Sequence, residues 1–123
     1  TVESYMLHQA KNFVKRFDAN TYLRLVEAWQ HFDLLRDTSA PDFVSLFMRC
    51  SHQRFMVFSI DSDVCFYPEE QSQLVDALNG AGVESQHVTI HSDKGHDAFI
   101  VEPQLFSPHL QYVLSSWEPK PRQ

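Results

Sequence analysis

The sequence predicts an α/β fold in which two parallel strands and their flanking helices follow a helical first part. Two observations lead to this prediction. Apolar residues recur at helical spacing through the first part, and two short strand-like runs in the second part are separated by one helix-length segment. Strand, helix and strand in this order form a βαβ unit with a right-handed crossover. We therefore divide the chain into a helical segment, residues 1–50, and a βαβα segment, residues 51–123.

Two amphipathic helices are predicted in the first part, over residues 2–17 and 20–35. Aromatic and aliphatic side chains recur along one face of each, which is typical of a packing surface rather than of a cofactor site. Asp18 or Asn20 is expected to cap the second helix, because short polar side chains accept hydrogen bonds from free N–H groups at a helix start. A short third helix follows, with Pro41 at its first position.

The second part alternates between strands and helices. A continuous apolar run predicts a strand that is buried on both faces. Proline and two acidic residues then begin a helix that ends at a glycine pair, and a β-branched run predicts the second strand. A serine–proline pair begins the last helix, whose inward residues include Trp117. In order, the segments are residues 55–59, 68–80, 86–91 and 107–117, with a polar tail at 118–123.

An acidic residue and a histidine follow the two predicted strands. Asp63, with Asp61 as a competing acid, comes after the first strand, and His96 comes after the second. Because the carboxyl ends of parallel strands meet at one edge of a sheet, these side chains are expected to meet there. An acid followed by a histidine is the order of the α/β-hydrolases, where the carboxylate orients the histidine that activates a nucleophile. Spacing alone leaves the choice between the two acids open.

A nucleophile for this pair is missing from the chain. A serine elbow needs the pattern G-x-S-x-G or a close variant, and none of the three glycines flanks a serine at this spacing. Cys65 lies near Asp63, but its surroundings favour a packing thiol. Two strands also do not make a stable parallel sheet alone. Because the chain begins with Thr1, we expect it to be a piece of a longer protein that supplies the nucleophile.

Several motifs resemble the homoserine O-acetyltransferase family, which belongs to the α/β-hydrolase superfamily. The most specific is the stretch Arg16–Leu23, RFDANTYL, and the resemblance extends over about residues 1–115. The acid and histidine regions are similar to those of the family as well. The other matching segments are residues 2–6, 59–63, 68–71 and 95–99.

The resemblance implies that the chain is the C-terminal part of an α/β-hydrolase fold, preceded by lid helices. It implies Asp63, rather than Asp61, as the catalytic acid and His96 as the catalytic base. Asp97 matches the family's acid that binds the substrate amino group, although from the residues alone a loop-capping role is also open. The serine elbow and the oxyanion donors are expected in the missing N-terminal part. We therefore expect no activity from residues 1–123 alone.

The activity implied by the resemblance is transfer of acetyl from acetyl-CoA, as co-substrate, to the hydroxyl of L-homoserine, a step of methionine biosynthesis. The lid helices within residues 1–50 are then expected to cover the cleft and to help form a homodimer. Departures from the family pattern at residues 64–65 and at Tyr67 leave the acyl donor open. The alternatives are a homoserine or serine O-succinyltransferase, an α/β-hydrolase, and, from another class, a stand-alone non-catalytic binding or dimerisation module.

Composition and charge argue against other kinds of site. A net charge of −6 gives no basic surface for nucleic acid or for an anionic membrane. The two cysteines form neither a disulfide framework nor a zinc pattern, so we expect a cytoplasmic protein without a metal or a bound cofactor. His87 and His91 lie on a predicted strand, where about 13 Å would separate them. They are therefore not expected to share a metal ion.

Overall fold

The computed structural model describes residues 1–116 and divides into two compact units, residues 1–37 and the remainder. In chain order the elements are α1 (Val2–Arg16), α2 (Ala19–His31), α3 (Leu34–Thr38), α4 (Phe43–Met48), β1 (Arg54–Ile60), α5 (Pro68–Gly80), β2 (Glu84–Ile90), α6 (Ala98–Val101) and α7 (Ser107–Ser116), with single 3₁₀ turns at Gly95–Asp97 and Pro103–Leu105. No helix within residues 1–116 combines the length and apolar character needed to cross a bilayer. The predictions for Trp117 and for the tail lie outside the described residues.

The first unit consists of helices that polar side chains cap. Asp18, one of the two residues predicted to cap the second helix, accepts a hydrogen bond from the Thr21 N–H at 2.9 Å. The single helix predicted over residues 20–35 is two helices, because Asp33 accepts a hydrogen bond from the Arg36 N–H and thereby begins α3. None of the side chains of α1, α2 or α3 is buried in the chain by itself.

The second unit begins before the boundary that the sequence places at residue 50. α4 belongs to this unit, because Phe47 is buried in the same core as residues of the sheet. The prediction of Pro41 at the first helical position is wrong. Asp42 caps the helix instead, because its carboxylate accepts a hydrogen bond from the Ser45 N–H at 2.7 Å. The helix begins at the next residue, Phe43.

β1 and β2 pair in parallel, as predicted, and are in register from Arg54 opposite Glu84 to Ile60 opposite Ile90. Alternate residues of the strands point to opposite faces of the sheet, and each face has a small core. The core beside α4 and α5 buries Phe47, Val57, Leu78 and Val83. The core beside the residues that follow β2 buries Ile60, Ile90, Ala98 and Phe106.

α5 is the crossover helix, and its ends match the sequence signals. Pro68 occupies the start of the helix, as predicted, where its missing N–H group has no intrahelical partner to lose. After the helix the chain turns at Gly82, whose φ of +69° lies in the left-handed region that favours glycine. Leu78, near the end of the helix, has no solvent exposure.

Replacement of Leu78 by alanine is expected to lower the free energy of unfolding by about 2–5 kcal/mol, because it leaves a cavity between α5 and the sheet. Leu74→Ala is the matched control on the same helix, since Leu74 is 36% exposed. Denaturant unfolding followed by circular dichroism measures both variants. Equal losses for the two variants would contradict this description of the core.

Candidate active site

Asp63 lies in the turn directly after β1 and is buried, with 6% of its surface exposed. One carboxylate oxygen, Oδ1, accepts hydrogen bonds from the N–H groups of Cys65 and Phe66 at 2.8 and 3.0 Å. The other, Oδ2, lies 2.9 Å from Nδ1 of His96. The acid and the histidine that spacing predicts to meet at the sheet edge are therefore in direct contact.

The surroundings of Asp63 keep its carboxyl group ionised. Burial by itself raises the pKa, but the hydrogen bonds from the Phe66 N–H, the His96 ring and the Cys65 N–H lower it by more, so the pKa of Asp63 lies below its usual range. An ionised carboxylate only accepts hydrogen bonds, so Nδ1 of His96 must donate. In the neutral ring this leaves Nε2 as a proton acceptor.

His96 lies in the 3₁₀ turn that follows β2, and two aromatic rings flank its imidazole. The ring centroids of Phe66 and Phe99 lie 4.9 and 5.5 Å from that of His96. Its side chain is 41% exposed, so the imidazole is held on its sides but remains reachable. Gly95 precedes it with a φ of +61°, a left-handed conformation that glycine adopts without strain.

Hydrogen bonds join the loop that carries Asp63 to the loop that carries His96. The Ser62 hydroxyl donates to the Ser92 carbonyl and accepts from the Gly95 N–H at 2.9 Å. A carboxylate oxygen of Asp61 accepts from the Ser92 N–H at 3.1 Å. These contacts fix the two loops relative to each other and so support the geometry of the pair.

Asp61, the competing acid, pairs with a different histidine. Its Oδ2 lies 2.8 Å from Nδ1 of His91, whose side chain is 83% exposed. The hydrogen bond from His91 is the main reason that the pKa of Asp61 lies below its usual range. Residues 1–116 thus contain two Asp–His pairs of similar length, and of these two only the pair with Asp63 has a buried acid.

Three further residues considered in the sequence are His87, Cys65 and Asp97. His87 is bonded through Nε2 to the buried Ser59 hydroxyl at 2.6 Å, a contact that the sequence analysis did not predict. Cys65 is an exposed free thiol, so the expectation of a packing thiol is wrong. Asp97 is exposed and makes no side-chain capping hydrogen bond to α6, which removes the support for its capping alternative. Within residues 1–116, no three His, Cys, Asp or Glu residues cluster as metal ligands.

A cavity of about 460 Å³ opens beside the Asp63–His96 pair. Asp63, His96, Gln71 and Ser107 are its polar lining residues. Most of the lining is apolar and includes Phe58, Ile60, Phe66, Phe99, Phe106 and Leu110. Gln71 is not among the site residues predicted from the sequence, although its place in the first turns of the helix that follows the acid is a signal for this edge of the sheet. A partly apolar cavity with a few polar groups is typical of a small-molecule site.

Comparison with curated proteins finds relatives that are named homoserine O-acetyltransferase. A homoserine O-acetyltransferase of Caulobacter vibrioides is 39% identical over 117 residues, which are 95% of this chain and 30% of the relative. Proteins of the same name from Gluconobacter oxydans and Methanobrevibacter ruminantium are 46% and 45% identical over 85% and 82% of the chain. The chain spans only 26% and 20% of their lengths. No protein-family model matches the chain.

Proposed function

We propose, from the premise that this chain is a homologue of part of the homoserine O-acetyltransferases, that it supplies the acid and the base of an acyltransferase active site. The rest of that site would lie in a longer polypeptide containing the chain, called the parent enzyme below. The observation that carries the proposal is the hydrogen bond between the buried, ionised Asp63 and Nδ1 of His96. It leaves the other ring nitrogen able to take a proton from a nucleophile.

In the proposed reaction, a serine of the parent enzyme attacks the thioester carbonyl of acetyl-CoA. Nε2 of His96 takes the serine proton, the carbon–sulfur bond breaks, and the same proton leaves with the coenzyme A thiol. The hydroxyl of L-homoserine then attacks the acetyl-serine. His96 takes the hydroxyl proton and returns it to the serine oxygen as O-acetylhomoserine leaves. Asp63 stabilises the protonated imidazole in both halves.

The cavity lining favours an uncharged acyl group. Among its described residues, Asp63 and His96 are the groups that can carry charge, and neither lysine nor arginine is present. For a succinyl carboxylate placed there, the one cation that the described lining could offer is the protonated His96 ring, which already pairs with the Asp63 carboxylate. This supports acetyl over the succinyl alternative, within the premise of an acyltransferase.

Asp97 is proposed to bind the ammonium group of homoserine. It follows His96 directly, is exposed, and has no capping hydrogen bond to α6 that would compete for its carboxylate. A carboxylate beside the proton-transferring histidine would hold the amino acid through an ion pair. The roles of residues 1–50 in covering the cleft and in dimerisation stay predictions, as does the cytoplasmic location.

The test compares residues 1–123 with a chimera in which they replace the matching segment of the Caulobacter vibrioides relative. We expect the chimera to transfer acetyl from acetyl-CoA to L-homoserine, and residues 1–123 alone to show no transfer, because the chain has no serine elbow. Thiol release and mass spectrometry of O-acetylhomoserine measure both. Circular dichroism verifies that the chimera is folded.

Two outcomes would contradict this proposal. Transfer by residues 1–123 alone would show that the chain contains its own nucleophile. A folded chimera without transfer, together with a gene product that consists of this chain alone, would favour the stand-alone binding or dimerisation module instead.

A further inference from the structure

The hydroxyl of Ser62 bridges the loop that carries the acid and the loop that carries the histidine. Ser62 directly precedes Asp63 in the chain, and Gly95 directly precedes His96. The Ser62 hydroxyl accepts a hydrogen bond from the Gly95 N–H at 2.9 Å and donates one to the Ser92 carbonyl. One oxygen atom therefore connects the residue before the acid to the residue before the base.

The residue to which this hydroxyl donates is itself held by its other polar groups. The Ser92 N–H donates to the carboxylate of Asp61 at 3.1 Å. The Ser92 hydroxyl donates to the carboxylate of Glu102, the residue that follows α6. This second bond joins the two ends of the segment in which His96 lies. Ser62 therefore bonds to a carbonyl whose residue is bound on two further sides.

The contacts of Ser62 need a group that donates and accepts through the same atom. A carbonyl requires a donor and an N–H requires an acceptor, and a hydroxyl provides both, whereas a carboxylate only accepts. Without the hydroxyl, the Gly95 N–H would lose this partner and the turn before His96 would relax. His96 contacts Asp63 through Nδ1 at 2.9 Å, and a shift of about 1 Å in such a group can lower a rate by about 100-fold.

We propose that Ser62 is a positioning residue that holds the Asp63–His96 pair at its reactive geometry. The inference rests on the proposed function, since it takes this pair as the acid and the base of acyl transfer. Ser62 does not line the cavity beside the pair. Its loss should therefore change the proton transfers and leave substrate binding as it is.

The first experiment measures steady-state transfer by the parent enzyme. For Ser62→Ala we expect kcat to fall about 10–100-fold, with KM for homoserine and for acetyl-CoA within about twofold of the wild type. Ser62→Thr keeps a hydroxyl and should restore kcat to within about threefold. Ser85→Ala is the matched control, because it also removes a bonded hydroxyl, 3.0 Å from the Asn79 side chain, but near the opposite end of β2. It should change neither value.

The second experiment repeats Ser62→Ala in an enzyme that already contains Asp63→Asn. Residues that act as one unit give strongly non-additive losses. Because Ser62 acts through the pair, its removal should lower kcat by less than about threefold in this background. A loss that came only from a weaker fold would have the same factor in both backgrounds.

Two results would overturn the proposal. Unchanged kcat in Ser62→Ala would show that the pair keeps its geometry without the hydroxyl. The same loss with and without Asp63→Asn would show that Ser62 acts independently of the pair. If circular dichroism shows that Ser62→Ala is unfolded, Ser62→Cys, whose thiol is a weak donor and acceptor, is held to the same expectations. A wild-type parent enzyme without acetyl transfer would instead contradict the proposed function, so the two failures are distinguishable.

Discussion

Replacement of His96 by alanine is expected to lower kcat for acetyl transfer by the parent enzyme about 10⁶-fold, the scale found when a triad loses its base. The variant has no group to take the proton from the serine or from homoserine. Steady-state release of the coenzyme A thiol measures the loss. Single-turnover formation of the acetyl-enzyme should fall by a similar factor, because the first half-reaction needs the same base.

The chain supplies its own control for His96. His91 also contacts an aspartate through Nδ1, at 2.8 Å, but its pair is exposed and does not line the cavity. His91→Ala should therefore keep kcat within about twofold of the wild type, since exposed ion pairs contribute little. Equal losses for the two variants would contradict the assignment of His96 as the base.

Replacement of Asp63 by asparagine is expected to lower kcat by about 10⁴-fold, the scale of the same change in other triads. The asparagine amide keeps the shape of the carboxyl group, but it can donate a hydrogen bond to Nδ1 and so favour the wrong tautomer of His96. It also removes the negative charge that stabilises the protonated ring. KM for homoserine should change far less than kcat, because Asp63 does not bind the amino acid in the proposed reaction.

Asp61→Asn is the matched control for Asp63. Both carboxylates contact a histidine and a backbone N–H, but Asp61 pairs with the exposed His91. We expect Asp61→Asn to lower kcat less than tenfold, through some loosening of the contact with Ser92. A damaging Asp61→Asn together with a silent Asp63→Asn would reverse the choice of the acid.

The parts of the fold that the sequence predicts have local signals. Strand β1, the proline that begins α5 and the glycine turn after it are each read from a few adjacent residues, although only Val57, Ser59 and Ile60 of β1 are buried. The sequence does not predict the break between α2 and α3, because the apolar periodicity continues past Asp33, whose capping hydrogen bond begins a new helix. The short helical turns after His96 have no periodic signal, and contacts such as the burial of Ala98 and Phe106 against Ile60 stabilise them.

The candidate site was predictable in its partners but not in its geometry. Spacing places an acid and a histidine at one sheet edge, yet it cannot separate Asp61 from Asp63. The two acids differ in their backbone contacts. The Asp61 N–H bonds to the Ile90 carbonyl and so continues the sheet, whereas the Asp63 N–H bonds to the Ile60 carbonyl in the turn that follows. The hydroxyl contacts of Ser62 join segments that are distant in sequence, so no local pattern could predict them.

The hydrogen bonds of Ser62 and Asp61 also determine how the site can move. Three hydrogen bonds join the loop after β1 to the loop after β2, so we expect the two loops to move together. Any opening of the cleft would then change the distance from His96 to the serine of the parent enzyme but not its distance to Asp63. The imidazole would keep its reactive tautomer between turnovers, and each cycle would begin with the base already poised.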